Sequence, residues 1–253
     1  MGNTKRLALV TGGARGVGRA IAERLARDNT SLIIADIHQE RAQECADALI
    51  ASGAEAVAMA VDVSDEASVR SLYTRINDQF GRLDILINNA GVLGLVDGKR
   101  SKVVDMPLTS WQETIGVNLT GVFLACRGAL PLMMKNRWGR IVNISSRSAR
   151  ARTNVNNAHY AASKAGVLGF SRVLAFEAGE YGITVNSIAP SRMETEMTAT
   201  QEGNYFQSGN SENVLGRLAT IYDVAGAAAF LCSDEASYLT GIVIDVNGGA
   251  FMP

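Results

Sequence analysis

The chain has no charge excess of either sign. Across 253 residues, 24 Lys and Arg stand against 25 Asp and Glu, a formal net charge of −1. Nucleic-acid binders carry a basic surplus, so no nucleic-acid partner is expected. No apolar run reaches the ~18–20 residues that a bilayer crossing requires, so no membrane partner is expected. Met1–Arg6 leads directly into a strand-like run, without an apolar segment before a small-residue cleavage site, which argues against a secretory signal. Cysteine is scarce: Cys45, Cys126 and Cys232 are scattered and odd in number, which argues against a disulfide framework or a Cys-x-x-Cys metal site. They are read as small apolar residues in a reducing, cytoplasmic setting. His38 and His159 are the sole histidines, too few and too isolated for a metal-dependent mechanism. Linkers and low-complexity stretches are also missing, so residues 1–253 read as one domain.

What is present is a regular alternation. Runs at Leu7–Thr11, Leu32–Asp36, Ala56–Val61, Ile85–Asn88, Ile141–Ile144, Thr184–Ile188 and Ile242–Val246 are mostly rich in Val and Ile and end in a polar or turn residue, which predicts strands. Continuous apolar strands are buried on both faces, as in a parallel sheet covered by helices. Helical patterns separate them at Gly18–Arg27, Glu40–Ser52, Glu66–Phe80, Thr109–Asn136, Asn157–Glu180 and Thr220–Cys232. Thr109 with Gln112 has capping-box spacing, and Thr220 with Asp223 is a weaker version. The alternation predicts an α/β fold, a Rossmann-like doubly wound parallel sheet of about seven strands with helices on both faces. Val92–Leu108 and Pro190–Leu215 are long and irregular, as lids and binding loops are.

The first strand ends in Thr11-Gly12-Gly13-Ala14-Arg15-Gly16-Val17-Gly18, and a helix follows at once. Such a turn brings backbone close to a ligand and presents free N–H groups and a positive dipole end to a pyrophosphate. Gly12, Arg15, Gly16, Val17 and Gly18 are therefore candidate cofactor contacts. Asp36 ends the second strand, where a dinucleotide fold places an acid on the adenosine ribose. Its carboxylate would repel the 2′-phosphate of NADP, by several kcal/mol in a partly desolvated site, so NAD is the expected cofactor. Arg15 points the other way, since a basic residue there could meet that phosphate.

Tyr160 and Lys164 lie four apart, on one helix face. Upstream, Gly139-Arg140-Ile141-Val142-Asn143-Ile144-Ser145-Ser146 runs from strand into polar loop, at the sheet edge where ligands bind in this architecture. Together with Asn88-Asn89-Ala90-Gly91, Asn118, Asn186, Pro190 and Thr195, these motifs occur in the order found in the short-chain dehydrogenase/reductase family, which the chain resembles over nearly its full length. The resemblance implies hydride transfer between a nicotinamide and a secondary alcohol or its ketone, with Asn118, Ser146, Tyr160 and Lys164 as catalytic tetrad. It places Asp62 and Val63 beside the adenine, and Asn88, Asn89, Ala90 and Gly91 along the groove. Ile188, Pro190, Ser191 and Thr195 fall at the nicotinamide. It also implies a homotetramer acting on a small-molecule substrate. Ser146 is preferred to Ser145 by alignment of the strand, which leaves the segment from Ser146 to Tyr160 one residue longer than the family's.

The tetrad is physically coherent. Free tyrosine titrates near pH 10, and service at neutral pH needs a drop of ~2–3 units, roughly 3–4 kcal/mol. An ammonium ~4 Å away supplies ~4 kcal/mol at an effective dielectric of ~20. Two departures stand out: Pro190-Ser191 replaces the family's Pro-Gly, and Asn247-Gly248-Gly249 replaces its Asp-Gly-Gly. Arg147, Arg150 and Arg152 crowd one loop, and Arg192 follows Pro190. Solvated surface is the default for arginine. The sharper reading is a grip on an anionic substrate, with Arg152 and Arg192 as the candidates. Tyr205 and Phe206 could close over an apolar part of it. The rivals are an NADPH-dependent 3-oxoacyl carrier-protein reductase and, in another class, a non-catalytic dinucleotide sensor.

Overall fold

The computed structural model describes residues 5–152, 157–193 and 213–252. Among these, seven strands form one parallel sheet: β1 (Leu7–Thr11), β2 (Ser31–Asp36), β3 (Ala56–Ala60), β4 (Ile85–Asn88), β5 (Gly139–Ile144), β6 (Ile183–Pro190) and β7 (Val243–Val246). Their order is β3-β2-β1-β4-β5-β6-β7, as expected for the Rossmann-like class. β1 is buried throughout, and its side chains alternate between two cores. Leu7 and Leu9 join the core under α3 (Glu66–Phe80), α5 (Gly121–Asn136) and α6 (Ala158–Gly179). Ala8 and Val10 join the core under α1 (Gly16–Arg27), α2 (Gln39–Ala51) and α7 (Ile221–Cys232). The three cysteines are buried and unbridged.

Burying an apolar side chain contributes about 1.5–3 kcal/mol, and both faces of the central strands are filled this way. Asp65 caps α3 by accepting from Ala67 and Ser68, and Gly81 ends it in the left-handed region. Thr220 and Asp223 form the complete reciprocal box on α7, with Arg217 paired to the acid. The box expected at Thr109 and Gln112 is absent. The helix α4 (Leu108–Ile115) starts one residue earlier, capped by Pro107 without a side-chain bond.

The single helix expected over Thr109–Asn136 is α4 and α5 joined through one π turn, Gly116–Thr120. Leu108–Asn136 is long and apolar enough by composition to cross a membrane. Leu124, Ala125, Cys126, Ala129 and Met133 of this stretch are buried in the core of the fold, which accounts for that composition.

Candidate active site

The strand order reverses between β1 and β4, and a gap opens at the carboxyl edge of such a switch point. Asn89 staples the two strand ends. Its Nδ2 donates to the carbonyls of Thr11 (3.2 Å) and Gly12 (2.8 Å), while the Thr11 hydroxyl accepts from the Asn89 and Ala90 amides. A cavity of about 430 Å³ lies over this staple. Gly12, Arg15, Gly16 and Val17 line it from the first turn, Asp36 from β2, and Asp62 and Val63 from the end of β3. The middle is formed by Asn89, Ala90 and Gly91, and the far end by Ser146, Tyr160, Lys164, Pro190 and Ser191.

The turn has the form an anion cradle needs. Gly16 has φ +54, a region open to glycine, and a Cβ there would meet nothing within 4 Å, so its backbone faces open space at the start of α1. A Cβ on Gly12 would lie 2.9 Å from the Ala90 backbone. Gly18 does not line the cavity. A Cβ there would fall 2.2 Å from the Gly12 carbonyl, so its smallness lets α1 pack against the turn.

At the other end, α6 carries Tyr160 and Lys164 into the cavity. The Lys164 Nζ donates to the Ile144 carbonyl at 2.8 Å and lies 5.9 Å from the Tyr160 ring centroid. Burial lowers the Lys164 pKa to about 8, which leaves the ammonium charged at neutral pH. The two serines differ in what they have left to offer. Ser145 donates its hydroxyl proton to the Lys164 carbonyl, whereas Ser146 accepts from the Ser148 amide and keeps its own proton for another acceptor.

Asn118 sits in the π turn, fully buried, and its side chain does not line the cavity. Its amide accepts from Val92 N–H (2.8 Å) and donates to Val92 O (2.9 Å) and Ser163 Oγ (3.1 Å). Ser163 in turn donates to the Tyr160 carbonyl at 2.7 Å. Asn118 therefore ties the cavity wall at Val92 to the turn of α6 that carries the phenol.

Several expectations land elsewhere. Asn88 points into the core, donating to Asn143 Oδ1 and the Cys126 sulfur, and Ile188 is fully buried away from the cavity. Arg152 is exposed and does not line the cavity. Arg192 does, only 6 % exposed, and so does Arg147, also 6 % exposed. Arg150 pairs with Asp245 at 3.3 Å. Thr195, Tyr205 and Phe206 lie outside the described residues.

Sequence reasoning missed Ser163 and His159. His159 is fully buried, accepts the Tyr160 amide at Nδ1 (2.8 Å) and approaches Ser110 at Nε2 (3.2 Å). Burial pushes its imidazole below the ordinary range, opposed by a hydrogen bond to the Gly94 backbone. His159 immediately precedes Tyr160 and Ser163 immediately precedes Lys164, and that adjacency to the pair is the signal that could have found both.

A family model described as enoyl-(acyl carrier protein) reductase matches residues 12–250. The 3-oxoacyl-[acyl-carrier-protein] reductase of Aquifex aeolicus is 40 % identical over 248 residues, covering 97 % of each chain. That of Escherichia coli is 40 % identical over 247 residues, covering 98 % of each. A solved 3-oxoacyl-[acyl-carrier protein] reductase with bound NAD from Brucella melitensis superposes with a TM-score of 0.90 at 35 % identity, over 99 % of this chain and 93 % of that one. These relatives overturn the expectation of NAD as preferred cofactor. Their names are those of the rival reading, the one drawn with NADPH, and the correction is toward NADP. The NAD of the Brucella crystal shows what that protein's groove admits and ranks no cofactor. The physical reason is that the repulsion expected from Asp36 is given more weight than the attraction of Arg15. Arg15 lines the same cavity, and the Asp36 carboxylate accepts from the His38 amide at 3.1 Å, which offsets part of its charge.

Proposed function

The chain belongs to the short-chain dehydrogenase/reductase family, and on that premise we propose that it reduces the ketone of a 3-oxoacyl substrate to the secondary alcohol with NADPH. The observation that carries this reading is the Tyr160 ring beside a buried Lys164 ammonium, in the cavity that begins at the glycine turn.

The cradle fits a dinucleotide. Gly12, Gly16 and Val17 would hold the pyrophosphate, Arg15 the 2′-phosphate, Asp36 the ribose, and Asp62 and Val63 the adenine. Asn89, Ala90 and Gly91 would follow its length, with Pro190 and Ser191 at the nicotinamide. When bound, the cofactor supplies the hydride. The protein's own residues manage the proton. The Tyr160 hydroxyl donates to the carbonyl oxygen as it gains charge, and the proton left on Ser146 hydrogen-bonds the same oxygen. The Lys164 ammonium, 5.9 Å from the Tyr160 ring centroid, favours the ionised phenol and so makes the hydroxyl a better acid. Asn118 acts by position, holding Val92 and Ser163.

The chain is read as one domain, with a cofactor half over about 1–140 and a substrate half over 141–253. It is also read as cytoplasmic, consistent with three buried, unbridged thiols. The homotetramer implied by the family would use the outer faces of α5 and α6, where Phe123, Val173 and Phe176 are exposed.

The test is a spectrophotometric panel of an acetoacetyl thioester, secondary alcohols, polyols and hydroxy acids, each with NADP(H) and NAD(H). The thioester should turn over with NADPH at least tenfold faster, by kcat/KM, than with NADH. Equal use of both cofactors removes the cofactor assignment, and inactivity toward every compound removes the reaction.

A further inference from the structure

We propose that the preferred substrate carries an oxyanion group on its skeleton, gripped by Arg147 and Arg192 beside the reacting carbonyl. This rests on the hydride-transfer reading of the same cavity and narrows its substrate class.

The charged residues lining the cavity separate into two sets. Among the described residues its acids are Asp36 and Asp62, at the ends of β2 and β3, with Arg15 on the neighbouring turn. Among the described residues, the charged ones lining it at the ends of β5 and β6 and on α6 are Arg147, Lys164 and Arg192, all cations. Arg147 and Arg192 are each 6 % exposed. A guanidinium this deep is engaged by polar groups, and both arginines have interactions within the protein. Arg147 Nη1 donates to the Ala250 carbonyl at a long 3.4 Å, and a guanidinium has five N–H donors, so it can be held by the protein and by a ligand at once. Arg150 does not line the cavity; it pairs with Asp245 and lies over the Phe251 ring at 5.4 Å.

Sheet geometry says which anion these cations serve. The pyrophosphate cradle is at the end of β1. β5 is two places away and β6 three, on the side of Tyr160 and Lys164. With strands ~4.8 Å apart, that is about 10 and 14 Å from the cradle. The 2′-phosphate end, at β2, is farther still. The two arginines therefore stand on the side where the ketone must lie. A guanidinium binds carboxylate, sulfonate or phosphate through paired N–H bonds, and two of them fix both position and orientation.

The experiment compares ketones that differ in this one charge. Acetoacetate and levulinate are measured against their methyl esters, and dihydroxyacetone phosphate against dihydroxyacetone, alongside the neutral acetoacetyl-N-acetylcysteamine thioester. For the wild type, at least one anionic member should exceed its neutral partner tenfold or more in kcat/KM. The carboxylate and phosphate pairs show which oxyanion is meant. Arg147→Met and Arg192→Met should each bring that ratio close to one through KM, with the Kd for NADPH within threefold of wild type. The proposal is overturned if neutral members match or exceed anionic ones in every pair. It is also overturned if the variants weaken both members alike, or weaken NADPH binding in parallel. Wild-type rates decide the first point, so a variant that folds poorly leaves the proposal refutable. Turnover of the neutral thioester with no anion preference sinks this inference alone, and no turnover of any ketone sinks the reaction assignment beneath it.

Discussion

Replacing Lys164 by methionine should change how stability depends on pH, by an amount the structure sets. Burial lowers the Lys164 pKa from 10.5 to about 8. Below pH 8 the lysine is charged in both the folded and the unfolded chain, and the folded state bears the whole desolvation cost, about 3 kcal/mol. Between pH 8 and 10.5 the folded lysine is already neutral while the unfolded one still holds its proton. The unfolded state then binds more protons, so stability rises with pH. Integrated from pH 7 to pH 10, the gain is about 2–3 kcal/mol, and Lys164→Met lacks it. The variant also leaves the Ile144 carbonyl without its donor, at about 1–3 kcal/mol, which nearly cancels the relief at pH 7. Urea unfolding of the cofactor-free protein, followed by circular dichroism at pH 7, 8, 9 and 10, reads the difference directly. Near-equal stabilities at pH 7 should diverge to a wild-type advantage of about 2–3 kcal/mol at pH 10. A constant difference across that range would show that the ammonium is not buried as described. The same titration governs activity. In the cofactor-free enzyme Lys164 loses its charge above about pH 8, so kcat/KM for ketone reduction should fall there.

Two glycines give further tests. Gly18→Ala drives a Cβ to 2.2 Å from the Gly12 carbonyl, against backbone that cannot yield cheaply. It should cost about 1–3 kcal/mol in urea melts, and by displacing the cradle it should weaken NADPH binding, read by fluorescence titration, at least tenfold; unchanged binding would detach this packing from the cofactor. Gly94 has φ +67, and a Cβ there would meet Thr114 Oγ1 at 2.3 Å and the His159 ring at 2.5 Å. Gly94→Ala should therefore lose at least about 2 kcal/mol of stability and raise KM, since neighbouring Val92 and Leu93 line the cavity. Wild-type melting with unchanged KM would refute the idea that His159 fixes this wall.

The sheet was legible because its signal is local. β1 and β4 match their expected bounds to the residue, as does α3, since each is an apolar or amphipathic run with distinct flanks. The glycine turn and the Tyr160–Lys164 spacing placed both ends of the cavity for the same reason. What failed depends on contacts across the fold. No residue type marks a π turn, so the stretch around Asn118 read as ordinary helix, and the amide's partners at Val92 and Ser163 come from other elements. Pro107, its φ already near the helical value at −61°, starts α4 one residue before the Thr109 pattern would. Among four clustered arginines, composition could not say that Arg147 faces inward, that Arg152 faces solvent, or that Asp245 takes Arg150. The cofactor preference failed similarly, because Asp36 and Arg15 line one cavity and sequence alone does not weigh them against each other.

The central claim is that the Tyr160 hydroxyl handles the proton in a hydride transfer, with Lys164 setting its acidity. The most direct measurement is Tyr160→Phe, assayed at once for acetoacetyl thioester reduction and for NADPH affinity. The account predicts a loss of turnover of about 10³-fold, in the range for removal of a general acid, while NADPH still binds within about threefold of wild type, as binding energy from the cradle requires. A variant that keeps a tenth or more of the wild-type rate contradicts it.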